Sequence, residues 1–226
     1  MCIKYDEVPE RLHKYRKYLN LNQQEMGRLF HVSQGQYDRL ENGKYIITFE
    51  SLKSLLDNGG DVYYLFTGQR YQAGILEYYM ENCKNSWYKA QILKLIVWAF
   101  EVGIYKEKIV LPENINNLWK YILLAENNYR QNNIWKNIRK TEEKSQINMA
   151  DLLQINVKRY RRLEREEQFP DAYILLTLYQ KLRYSPMLFL EDKLYFPDAI
   201  NQIWEMFSKE NQKELKYILD KGVSLL

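Results

Sequence analysis

The stretch 33–40 carries the most usable chemistry in this sequence. Written as a helix, it turns Tyr37 and Leu40 to one side and leaves Gln34, Gly35, Asp38 and Arg39 on the other. Amide and guanidinium groups exposed on the first half of a helix can reach base edges in a major groove, and the open N–H groups of its first turn favour phosphate. A second stretch, 156–163, holds Lys158, Arg159, Arg161 and Arg162 and is the most basic segment of the chain. Other chemistries lack their groupings. Cys2 and Cys83 stand far apart without histidine neighbours, and His13 and His31 do not complete a ligand set. There is no phosphate-cradling glycine loop, no serine elbow and no Cys–His motif, so the expectation is a non-enzyme with no cofactor and no metal.

These groups need elements to hold them. A helix over 23–30 would bury Met26, Leu29 and Phe30, then turn through His31 and Val32 to Ser33, whose hydroxyl can cap the next helix. Further entry signals are Asn22 with Glu25, Ser33 with Gln36, Asp171 after Pro170, and Ser185 before Pro186. With only 9 Gly and 5 Pro in 226 residues, and apolar residues at three- and four-residue spacing, the chain reads as all-α. Segments 76–100 and 115–129 form a helical hairpin about Pro112, the second striped by Ile115, Leu118, Trp119, Ile122 and Tyr129. That stripe is either core or a dimer seam. The five tryptophans are expected as core anchors. A net charge of +4 excludes an extreme polycation. The longest apolar run, 95–100, is too short for a bilayer, and the first residues hold no apolar signal, so a soluble cytoplasmic protein with no membrane partner is expected.

An offset of 123 residues repeatedly lands on a similar residue: Arg16 and Arg139, Gln23 and Gln146, Met26 and Met149, Tyr37 and Tyr160, Arg39 and Arg162, Glu41 and Glu164. The expected division is 1–70, 71–131, 132–191 and 192–226, with the first and third stretches as copies of one unit. The segments that follow each copy, 75–94 and 200–219, can both be written as two helices with a polar joint.

The run Leu21-Asn-Gln-Gln-Glu-Met-Gly-Arg-Leu-Phe-His-Val-Ser-Gln-Gly-Gln-Tyr-Asp-Arg-Leu-Glu-Asn-Gly-Lys44 resembles the helix-turn-helix of the Cro and phage-repressor (Xre) family. Ser145-Gln-Ile-Asn-Met-Ala-Asp-Leu-Leu-Gln-Ile-Asn-Val-Lys-Arg-Tyr-Arg-Arg-Leu-Glu164 is similar to the same pattern, less closely. The resemblance implies two lambda-repressor-like helix-turn-helix bundles joined by helical hairpin segments. It implies base reading by Gln34, Gly35 and Arg39 in the first copy and by Val157, Lys158 and Arg162 in the second. Gln suits adenine, Arg suits guanine, and Val157 could touch a thymine methyl. Phosphate contacts would come from Gln23, Ser33, Asn42 and Lys44, and from Gln146, Arg159 and Arg161. Arg16 with Glu41, and Arg139 with Glu164, would be structural ion pairs.

Three departures stand out. His31 and Gln154 occupy the usual turn glycine, which implies an altered turn; Gly27 replaces the usual Ala; and the run from Glu164 to Pro170 lacks the Asn-Gly ending, which implies a different loop with acidic groups that repel phosphate. The implied function is a transcriptional regulator, repressing or activating through duplex DNA. One chain would favour a site with unlike halves, and a homodimer would restore palindromy. The alternative is an antitoxin-like or phage-related module whose units bind a protein partner.

Overall fold

The computed structural model describes residues 5–71, 74–80, 83, 86–127, 133–191 and 197–226, and these fold as α-helices with no strand among them. The first five are α1 (Glu7–Tyr18), α2 (Gln23–Leu29), α3 (Gln34–Glu41), α4 (Phe49–Asp57) and α5 (Val62–Thr67). Then come α6 (Ile75–Met80), α7 (Ser86–Glu107) and α8 (Glu113–Asn127). They are followed by α9 (Ile134–Thr141), α10 (Gln146–Leu152), α11 (Val157–Glu164), α12 (Ala172–Leu182) and α13 (Met187–Leu190). Last are α14 (Pro197–Met206) and α15 (Lys209–Ser224). Among the described residues no helix is long and apolar enough to cross a membrane.

The chain divides into two compact units. One gathers Met1–Tyr71, Asn133–Arg139 and Glu143–Lys193; the other gathers Gln72–Asn132, Lys140–Glu142 and Leu194–Leu226. The stretches carrying the two repeated motifs therefore contribute to the same unit.

Short helices start where a side chain satisfies the open N–H groups of the first turn. Asn22 and Glu25 bond reciprocally at 2.9 and 2.7 Å, and Ser33 and Gln36 at 3.3 and 3.0 Å. Ser145, Asn156 and Asp171 cap α10, α11 and α12 at 3.1, 2.8 and 3.0 Å.

The turn between α2 and α3 keeps its shape despite the missing glycine. His31 adopts φ 52° and Gln154 φ 55°, so both accept the left-handed conformation instead of altering the turn. The Val32 N–H then reaches the Gly27 carbonyl at 2.8 Å, and the Ile155 N–H reaches that of Ala150 at 3.0 Å. At Gly27 a Cβ would lie 2.9 Å from the Val32 carbonyl oxygen, which accounts for glycine there. The loop after α11 also departs from expectation. Glu166 and Glu167 donate to Leu163 and Arg162 at 3.0 and 2.9 Å, as Gly43 and Lys44 donate to Leu40 and Arg39 at 3.1 and 2.8 Å. Its first turn therefore follows the one that closes with glycine, with Glu166 at φ 59° where Gly43 has φ 68°.

The core of the first unit is built from Met26, Phe30, Tyr37, Leu52, Leu55 and Leu65, with Leu29 only partly buried beside them. Each such side chain contributes about 1.5 to 3 kcal/mol on burial. Ala172, Leu175 and Leu176 of α12 and Met187 and Leu190 of α13 enter the same core. The Ala172 N–H donates to the Ile47 carbonyl at 2.9 Å, and Phe49 stacks on Phe169 at 4.6 Å.

In the second unit Phe100 lies against Trp119, Trp204 and Phe207 at 6.2, 5.9 and 5.3 Å. Ile115, Leu118, Trp119 and Ile122 are buried here, which makes the α8 stripe core and not a dimer seam; Tyr129 lies outside the described residues. Trp87 and Trp98 are more than half exposed, so not every tryptophan is a core anchor.

Candidate nucleic-acid interface

Helix α3 is held from behind by a buried polar anchor. Arg16 of α1 donates to both oxygens of Glu41 at 2.7 and 3.2 Å and to the Leu21 carbonyl at 3.1 Å. Tyr37 also donates to Glu41, at 3.5 Å, and Gln23 donates to it at 2.9 Å. Burial pushes the Glu41 carboxyl up, but the bonds from Arg16 and Gln23 and the charges of Arg16 and His13 outweigh it and hold the group below its ordinary value. Burial drives the Tyr37 phenol far above its ordinary range, so it stays a donor. A carboxylate satisfied by three donors fixes the end of α3 against α1 and the start of α2.

With that side locked, the opposite face is open. Gln34, Gly35, Gln36 and Arg39 are exposed, and a Cβ built on Gly35 would meet nothing within 4 Å. Arg39 donates to the Tyr45 hydroxyl at 3.0 Å, with its guanidinium 5.3 Å from that ring's centroid. Nothing in the helical periodicity pointed to Tyr45. Its only signal is its place in the loop that follows Asn42-Gly43. Asp38 is half-buried and serves as a local hub. It accepts from Gln23 at 3.2 Å and from Asn42 at 3.0 Å, while the Asn42 amide also donates to the Asp38 carbonyl at 2.9 Å. Two of the expected phosphate contacts are thus turned onto α3 by their side chains. Ser33 and Lys44 are exposed.

Helix α11 has the same kind of anchor. Arg139 donates to Glu164 at 2.8 Å and to the Lys144 carbonyl at 3.2 Å, and Gln146 donates to the other Glu164 oxygen. Its outward cations are Lys158, Arg161 and Arg162, all exposed, with Val157 half-buried among them. Arg161 also donates to the Gln146 amide oxygen at 3.2 Å. Arg159 turns away from this row and donates to Asp171 at 2.7 Å, tying α11 to the residue that caps α12. Glu166 and Glu167 lie exposed at its C-terminal end, with Arg165 3.7 Å from Glu167.

Residues 12–60 match the helix-turn-helix family. No curated protein and no solved structure matches the chain. The matched span runs from the middle of α1 to the turn before α5, so it includes Arg16, Glu41 and the whole exposed face of α3. The match is to an Xre-like helix-turn-helix, which supports DNA-binding regulation at a general level. Within it α2 and the left-handed turn at His31 set the direction of α3, and the Arg16–Glu41 pair ties its C-terminal end to α1.

Proposed function

We propose that the chain is a cytoplasmic, sequence-specific double-stranded-DNA-binding transcriptional regulator. It acts by occupying its site, with α3 in a major groove and α11, the corresponding helix of a second and divergent helix-turn-helix, in another. The observation that carries this is the two-sided build of α3. One side is fastened to a buried ion pair, and the other offers Gln34, Gly35 and Arg39 to solvent in a span that matches the helix-turn-helix family. Gln34 and Arg39 can each pair bidentately with a purine edge, the absence of a side chain at Gly35 lets the backbone come close, and Lys44 adds a phosphate contact. Support for the second reader is its register. Helices α2 and α10, and α3 and α11, have both ends 123 residues apart, as do the left-handed pairs Asn20 and Glu143, His31 and Gln154.

Duplexes enriched from a random pool, then titrated at two salt concentrations, test this reading. Affinity should fall as salt rises, because phosphate contacts release counterions. Gln34→Ala with Arg39→Ala should remove discrimination of about 1 to 3 kcal/mol per base contact, while Lys44→Ala should weaken all sequences alike. Preference left intact in the double variant would refute the assignment of readers. Absence of duplex binding at low salt would reject DNA as the partner.

A further inference from the structure

The 123-residue register does not stop at the readers. Helix α7 begins at Ser86 and α15 at Lys209, 123 residues on, while α6 begins at Ile75 and α14 at Pro197, one residue short of that offset. The chain therefore runs reader, helix pair, connecting helix α8, reader, helix pair. In the second unit like elements also pack on like. In the first unit α12 and α13 complete the core of the first reader, and in the second α6 packs on α14 and α7 on α15. The α7–α15 contact is close. A Cβ on Gly222 would fall 2.3 Å from Leu95, and one on Gly103 would fall 2.8 Å from Phe207 and 3.0 Å from Leu215. At the position 123 residues before Gly222 stands Ala99, fully buried and again small.

Matching parts of two identical subunits meet in this way across the two-fold axis of a homodimer. Here both partners lie on one polypeptide, with α6 against α14 and α7 against α15. We propose, resting on the DNA reading above, that one chain is a built-in dimer. It binds as a monomer, one chain per operator, with α3 in one half-site and α11 in an unlike half-site. The spacing between the halves is fixed by the common core and by the Phe49–Phe169 stack. The halves differ because α3 offers an amide and one guanidinium, whereas α11 offers an aliphatic group, an ammonium and two guanidinium groups.

The test uses the full chain and the duplex it enriches from a random pool. The expected site has two unlike blocks at constant separation, and sedimentation of the complex gives one chain per duplex. Gln34→Ala with Arg39→Ala should erase preference in one block, and Lys158→Ala with Arg162→Ala in the other. All four are exposed positions whose loss leaves the core intact. Inserting two or three base pairs between the blocks should weaken binding by about 100-fold, the loss of one tethered contact. A palindromic site, two chains per duplex, or affinity that survives the insertion overturns the built-in dimer. So does a single block, erased by the first variant alone and bound by one chain, although it keeps α3 as a reader. If no duplex is enriched and none binds at low salt, the DNA reading falls as well, and that result is distinct from the others.

Discussion

Glu41 carries the largest single-residue consequence. Its carboxyl is held below the ordinary value of 4.5, against the upward push of burial, by bonds from Arg16 and Gln23. A group whose value is depressed by folding adds stability above its unfolded value, and that stability is lost as pH falls through the folded value. Wild type should therefore lose stability on acidification below about pH 4.5, and by more than Glu41→Gln loses over the same range. At pH 7 the variant should cost about 3 to 5 kcal/mol in urea unfolding, because Arg16 is left buried beside an uncharged amide. Equal acid sensitivity in both proteins would dismiss Glu41 as the titrating group. Tyr45 acts on a different quantity. It holds the Arg39 guanidinium through its hydroxyl and its ring face, so if Arg39 reads a base as proposed, Tyr45→Ala should reduce discrimination at that base pair and leave urea stability within about 0.5 kcal/mol of wild type.

At the scale of elements, the cap residues are the most readable part of the sequence. Asn22 with Glu25 and Ser33 with Gln36 are local patterns, and the bonds they predict form within three residues. The outward face of α3 was legible for the same reason, since helical spacing alone separates Gln34 and Arg39 from Tyr37 and Leu40. The Arg159–Asp171 bond was not, because it crosses a loop whose path no periodicity fixes. Nor did sequence resolve the left-handed residues. His31, Gln154 and Glu166 adopt a left-handed backbone that residue preference does not favour, in turns closed by backbone hydrogen bonds. Gly35 presents the opposite case, a glycine in the first turn of a helix with nothing near its missing side chain. Gly35→Ala should raise the denaturation midpoint by up to about 1 kcal/mol of added stability. If duplex affinity falls at the same time, the backbone of α3 lies close to its ligand.

At the scale of the molecule, periodicity told which face of each helix is apolar but not what would cover it. The 123-residue correspondence of residue types is therefore legible in the sequence, whereas the packing of Leu175 and Leu176 among side chains of α1–α5 is not. That core makes a direct prediction. Leu176 is fully buried, and Leu176→Ala should cost about 2 to 5 kcal/mol. Hydrogen exchange should show protection falling in α1–α4 as well as in α12; loss confined to α12 would mean that α12 unfolds apart from α1–α4. The same core has a consequence for dosage. Separate subunits come apart on dilution, so their occupancy of a site rises with a steep threshold as copy number grows. On the proposal that one chain is a built-in dimer, its two readers would have no such threshold, and a few molecules in a cell would respond in simple proportion to their abundance.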